Sequence, residues 1–364
     1  MDFTLQIFKF YDLSSPISVF KIVRNIKKFS TKNLEQYDIS NINKEPNFID
    51  YPKPISFEYN EQNFYWKNEK LNILGKIYGY GALSLNTEIK LKINDIKEIN
   101  QYINNNKPLK IIESHLDSIY QKINKQFNED NKSFYPETDI NHLYPVYCIS
   151  STGLKDVKKL VMNNKQEITA LLSGIHENNN TFSQDQIKNI LNNQIIRFYE
   201  KDYNIIHWYG SLIVDNDASY SDILFTIELA NIQFLKLQAY DKFLDNYLEN
   251  YLYSIKNTLT KKLPYLILGV RKIMKEITQL RIEFDIITEI MENFEKLYGN
   301  WYLAKIYYLT GKAFEIPRWK KMVSSKIETI DELYHMLQEE SNNTKMLTLS
   351  FLTFLLFILW FVTG

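Results

Sequence analysis

The side chains best suited to catalysis or metal binding are five histidines, His115, His142, His176, His207 and His335, and one cysteine, Cys148. A zinc hydrolase helix places two histidines four residues apart around a glutamate, so that both meet one metal; no HExxH spacing occurs here. A serine nucleophile on a strand-to-helix elbow would read GxSxG, which is also absent. One cysteine permits neither an intrachain disulfide nor a cysteine-based zinc cage. It lies in the apolar run YPVYCIS, where a buried strand thiol is expected. His207, beside Trp208 in a strand-like run, is the histidine of most interest, with a satisfied or surface histidine as the default. No carboxylate pair stands out from the charged background. No catalytic residue, cofactor ligand or metal ligand is assigned.

The glycines of GKIYGYG, at Gly75, Gly79 and Gly81, invite comparison with a phosphate-binding loop. Such a loop needs its glycines at a strand-to-helix turn, followed by Lys and Ser or Thr. These glycines instead share a period-two run. They are placed on one face of a strand, against another backbone or an aromatic ring. Asp241 falls on an apolar helical stripe, where a polar residue fixes register or oligomeric state. Arg281 or Lys305 is its expected partner. Glu228, Asn231 and Gln233 in IELANIQ are read as a solvated face or as inter-helix hydrogen bonds.

The elements that must position these residues follow from periodicity. LQIFKFYDL reads as a strand and SVFKIVRNIKKF as a helix, followed by an Asn- and Pro-rich loop. From 71 to 93 the odd positions are mostly apolar and the even ones Lys, Asn, Tyr and Glu, the pattern of half-buried antiparallel strands. The run is too long for one strand, and a turn is placed near Asn86-Thr87. PLKIIESHLDSIYQKINKQFNED reads as a helix. IYGYGALSL before INDIKEINQYI echoes IIHWYGSLIVD before SDILFTIELAN. This suggests duplicated β-α-β units in an α/β head over 1–219.

Residues 220–345 read as a coiled-coil-like helical stem. Apolar residues step by three and four from about 221 to 258 and again from about 265 to 298, which describes long antiparallel heptad-patterned helices. NWYLAKIYYLTGKAF is a shorter helix, broken by Gly311 and Pro317, with Pro317 in the first turn of the next. That last helix is read as continuous with the nineteen uncharged residues 346–364. A helix of that length spans ~28 Å, close to the ~30 Å hydrocarbon core of a bilayer. Trp360 suits an interface. The expectation is an α+β protein with a single C-terminal transmembrane helix, tail-anchored in the lipid bilayer through 346–364, with the bulk of the chain on the cytoplasmic side.

The 43 basic and 43 acidic side chains balance, so nothing supports a nucleic-acid partner, which needs a basic surface. The basic segments 24–32, 256–275 and 318–326 are read as solvated faces. The N-terminus alternates like a strand and lacks the layout of a signal peptide.

At YGALSL, IIHWYGSLIVD, IELANIQFLKLQAYDKFLDNYL and YGNWYLAKIY the chain resembles the required-for-meiotic-nuclear-division (Sad1-interacting-factor) family. That family joins an α/β front carrying a strand Tyr-Gly motif to long helices and one C-terminal span. The resemblance implies a membrane-attached, self-associating protein; mitochondrial members of the family support translation near the inner membrane. In outline the chain is also similar to CorA-type magnesium channels, but those have two spans and a Gly-Met-Asn triplet, which this chain lacks. The expected function is a membrane-anchored scaffold, a homo-oligomer or the binder of a protein partner. The alternatives are a membrane-bound enzyme with its site in the head, or an ion-transport component.

Overall fold

The computed structural model describes residues 1–13, 35–36, 54–59, 64–67, 69–129, 139–152, 156–175, 181–192, 195–197, 199, 202–215, 220–259 and 301–363, with isolated positions between 275 and 288. The strands are β1 (Asp2–Asp12), β2 (Glu35–Gln36), β3 (Ile55–Tyr59), β4 (Tyr65–Trp66), β5 (Glu69–Lys70), β6 (Ile73–Tyr78), β7 (Ala82–Lys92), β8 (Asn141–Ser150), β9 (Ile195–Ile196), β10 (Tyr203–His207) and β11 (Gly210–Asp215). The described helices are α1 (Ile96–Asn106), α2 (Pro108–Glu129), α3 (Val157–Asn163), α4 (Lys165–Ser173), α5 (Gln184–Asn192), α6 (Ser221–Leu259), α7 (Trp301–Ala313) and α8 (Ile316–Thr363). The helix read over SVFKIVRNIKKF, most of the Asn- and Pro-rich loop and the heptad run 265–298 lie outside the described residues.

Nine strands form one sheet in the order β2-β3-β6-β7-β1-β8-β11-β10-β9, with β4 and β5 as a separate pair. β8 and β11 run parallel; the other neighbours are antiparallel. The internal echo is visible in the spatial order. β1, β7, β6 step outward from the centre on one side, and β8, β11, β10 do so on the other. The directions differ, because β1 and β7 are antiparallel where β8 and β11 are parallel. The suggested duplication of β-α-β units therefore does not hold for the first half.

The 71–93 alternation does form two antiparallel strands. Their turn is at Gly79–Tyr80–Gly81, not near Asn86-Thr87, because Gly81 takes φ +83°. Glycine enters that left-handed region at little cost, and it closes a three-residue hairpin loop between Tyr78 and Ala82. β7 then runs unbroken through Asn86 and Thr87. At Gly75 the close neighbour is an aromatic ring: an added Cβ would lie 2.1 Å from Phe57 Cζ.

The sheet is covered on both faces. Odd-numbered residues of β1, including Leu5, Ile7 and Tyr11, join the buried apolar sides of α1 to α5. Phe8 and Phe10 face the other way, where Phe10 stacks on His142 and His142 meets Phe234 of α6 and Phe314 edge-on. α6 is buried on nearly every side from Phe225 to Leu237. A two-helix seam would leave much of its circumference in water; this stretch is interior all round, and its charged residues Glu228 and Lys236 are paired.

The chain divides into two compact units, residues 1–239 with 291–318, and residues 240–290 with 319–364. In the second, Asp241 meets neither expected partner. Lys326 Nζ lies 2.6 Å from Asp241 Oδ1 and 2.6 Å from Asp245 Oδ1. Arg281 pairs with Asp331. Burial alone would lower the Lys326 pKa, but the two carboxylates more than offset it and the net shift is upward.

Two expectations about the C-terminal helices change. Gly311 does not break α7, which continues to Ala313. The break comes at Glu315, whose φ of +52° turns the chain before α8 restarts with Pro317 in its first turn. α8 does continue as one helix through 346–363. However, among the described residues no helix is long and apolar enough to cross a membrane. α8 carries charge up to Lys345. The transmembrane tail anchor over 346–364 and the single-pass location with a cytoplasmic bulk are thereby overturned. Leu352 and Phe357 are exposed on this helix.

Candidate functional site

The register of four strands builds the floor of a cleft. Glu58 lies opposite Leu74, Leu74 opposite Asn86, and Asn86 opposite Phe8. One step along, Lys76 is opposite Ser84; one step the other way, Glu88 is opposite Gln6. All point to one side because strand side chains alternate. The roof is α6, through Ser221, Leu224, Phe225 and Glu228, positions i, i+3, i+4 and i+7 of a single helical face. The volume of this open cleft is about 370 Å³, within the ~300–1,000 Å³ of small-molecule sites.

Even-numbered residues between 72 and 88 read in the sequence as a solvent face. Asn72, Lys76, Ser84, Asn86 and Glu88 among them line the cleft under α6. Lys76 Nζ is 2.5 Å from Glu228 Oε2, with the glutamate side chain 1% exposed. The same ammonium lies 5.0 Å from the centre of the Phe225 ring, within cation–π range. Gln6 Nε2 donates to Glu88 Oε2 at 2.8 Å. Ser84, 1% exposed, has a hydroxyl with no hydrogen-bond partner, and the buried Oδ1 of Asn86 has none either. A buried polar atom without a partner costs about 1–3 kcal/mol, and both residues line the cleft.

Two buried lysines lie on and against β1. Lys9 Nζ lies 2.7 Å from Glu113 Oε1 and 2.8 Å from Asp117 Oδ1 of α2. Lys236 of α6 lies 2.6 Å from Asp12. Gln233 of α6 accepts a hydrogen bond from the Tyr307 hydroxyl, and Asn231 Nδ2 donates to Ile227 O at 2.8 Å. The polar residues of IELANIQ are thus interior groups and not a solvated face.

The histidines are not brought together. His207 Nδ1 is 2.8 Å from Leu172 O, and burial lowers its pKa, partly offset by that carbonyl. His142 lies in the aromatic cluster, and burial lowers its pKa to about 4. His115 stacks on Phe64, and His335 meets Tyr334 edge-on. His176 lies outside the described residues. Cys148 is a buried strand thiol, and burial raises its pKa. Among the described residues no group of three His, Cys, Asp or Glu side chains could hold a metal ion. Of the residues singled out from the sequence, Glu228 is the one that reaches the cleft. Its partners could have been sought among the polar positions of the 71–93 alternation.

The family "Uncharacterized protein MJ0711, N-terminal domain" matches residues 3–221. The chain belongs to that family. The match includes the described sheet and α1 to α5, and ends at the first residue of α6. The strands that floor the cleft lie within it, while Leu224, Phe225 and Glu228 of the roof lie beyond it. Uncharacterized protein MJ0711 of Methanocaldococcus jannaschii is 28% identical over 196 residues, 54% of this chain and 57% of that protein. The aligned region thus spans little more than half the length of that relative. No solved structure matches. The comparisons do not support the resemblance to the required-for-meiotic-nuclear-division family. Its motifs were Tyr-Gly pairs and strand-then-helix patterns, and any hairpin packed under a helix produces those.

Proposed function

We propose that the chain is a binding protein whose sheet and α6 hold a small, donor-rich polar molecule in the cleft. The observation that carries this is the Ser84 hydroxyl, buried without a protein partner beside the Lys76–Glu228 pair. Glu228 is paired with Lys76 and Glu88 with Lys90, so the groups left to a ligand are Ser84 Oγ and Asn86 Oδ1. Asn86 Oδ1 can only accept. A ligand carrying an ammonium or several hydroxyls satisfies these groups; an anion does not.

The test uses thermal unfolding of the full chain with ethanolamine and with acetate as probes of matched size. Ethanolamine is expected to raise the melting temperature and acetate to leave it unchanged. Ser84→Ala is expected to be neutral or slightly stabilising without ligand, since it removes an unsatisfied hydroxyl, yet to lose the response. Equal responses of wild type and variant, or no response to ethanolamine, would reject the reading.

A second reading, self-association, is favoured by a different observation. Met346, Leu347, Phe351, Phe354, Phe357 and Trp360 of α8 are all exposed. At ~25 cal/mol per Å² of apolar surface, a second copy covering this run would gain substantially. Light scattering on the full chain checks it: a monomer at every concentration removes this reading, and pairing of Phe351→Lys as strong as that of wild type moves it off this run.

A further inference from the structure

A second cavity, of about 780 Å³, opens where α7 turns into α8. It is independent of the polar cleft. Its walls are largely apolar, with the rings of Tyr307 and Tyr308 and the side chains of Ile316 and Pro317. Volume and lining match a small-molecule pocket, in which a few polar groups fix orientation.

Two of its features have no explanation within the protein. The first is Gln233, 1% exposed. Its Oε1 accepts from the Tyr307 hydroxyl, while its buried Nε2 has no partner. The second is Gly311. A glycine inside a helix costs ~1 kcal/mol relative to alanine. Sterics in the chain do not require it, because an added Cβ would meet Ile316 Cδ1 at 3.6 Å, an ordinary contact. Gly311 lines the cavity beside Ile316, so a longer side chain there would take up its space. Arg318 Nη1 is paired with Glu315 Oε2 at 2.8 Å, which leaves the exposed Lys312 as the lining charge outside that pair.

We propose that this pocket binds an apolar-bodied monocarboxylate. The body lies along the tyrosine rings and the helix backbone at Gly311. The carboxylate accepts from Gln233 Nε2 and faces Lys312.

Calorimetry on the full chain tests this with octanoate, octanol and octylamine as probes. Octanoate is expected to bind most tightly, with octylamine about tenfold weaker or worse because Lys312 repels it and Gln233 Nε2 gains no acceptor. Lys312→Glu, an exposed change, should reverse the preference. Gly311→Leu should abolish octanoate binding, with Ala304→Phe filling the same space from the opposite wall should the first variant not fold. Ser84→Ala should leave octanoate binding unchanged, which separates this pocket from the cleft. Octylamine binding as well as octanoate, or folded pocket-filling variants that bind octanoate like wild type, would overturn the proposal. So would the absence of octanoate binding to wild type.

Discussion

Lys236 Nζ lies 2.6 Å from Asp12 Oδ1 across 224 positions of sequence, and neither side chain is exposed. The same ammonium is 3.4 Å from Gly81 O. One α6 side chain therefore ties the end of the central strand to the β6–β7 turn. Such a pair offers little net gain over an apolar replacement, because both charges lose their water, but breaking it strands a charge in the core. Lys236→Met is expected to cost about 3–5 kcal/mol of unfolding free energy in urea. Adding Asp12→Leu should recover most of that loss. A double variant as unstable as the single one would show that the charge pair is not the source.

The legible part of this fold was its local part. The period-two run 71–93 gave two strands, and PLKIIESHLDSIYQKINKQFNED gave α2. The missed parts were long-range. Asp12 and Lys236, or Lys76 and Glu228 at 152 positions apart, share no window in which a pattern could show. The polar face of β6 and β7 carried the site, yet period two cannot distinguish a face in water from one roofed by a helix. The Tyr-Gly pair was visible, but its role as a turn depended on the positive φ of Gly81. The uncharged run after Lys345 was equally plain, and composition alone gave it a membrane that the described helix does not support.

Gly75 and Phe57 are cross-strand partners, and the ring occupies the space that a side chain on residue 75 would need. Gly75→Ala forces the buried ring off its position, which costs about 1–3 kcal/mol. Phe57→Leu in the same chain should relieve that strain and make the two changes non-additive. Urea unfolding of the two single variants and the double variant reads the coupling. Additive losses would mean that the ring does not set the choice of glycine.

The acid side of stability should report His142. Burial lowers its pKa from 6.5 to about 4. Its Nε2 is buried without a partner. Between those values the unfolded chain binds the proton and the folded one does not, so stability is full above pH 6.5 and declines toward pH 4. At ~1.4 kcal/mol per pKa unit the whole gap is worth about 3 kcal/mol. His207 is shifted the same way, so the wild-type profile sums both. His142→Phe, which suits the surrounding Phe10, Phe234 and Phe314 rings, isolates the first. The stability of this variant relative to wild type should rise as pH falls through the window; a difference independent of pH would rule His142 out.

The Lys76–Glu228 pair is asymmetric, and that asymmetry predicts which half matters more. The lysine side chain is 18% exposed and the glutamate 1%. Without Glu228, the Lys76 ammonium can move along its flexible stem toward water and keep its place over Phe225, so the loss is partly repaired. Without Lys76, the Glu228 carboxylate on α6 has no comparable route out and must stay charged without its counterion or take up a proton. Lys76→Met should therefore cost more than Glu228→Gln, by about 1–2 kcal/mol given the usual cost of an unpaired buried charge. The order should reverse for ligand binding in the cleft. A donor-rich molecule loses an acceptor with Glu228→Gln, whereas Lys76→Met leaves Glu228 in need of a cationic partner that ethanolamine can supply. Lys76→Met should thus be the less stable variant alone and show the larger thermal shift with ethanolamine. If instead both variants lose stability equally and ethanolamine rescues neither, the pair is a structural clamp and Glu228 has no part in binding.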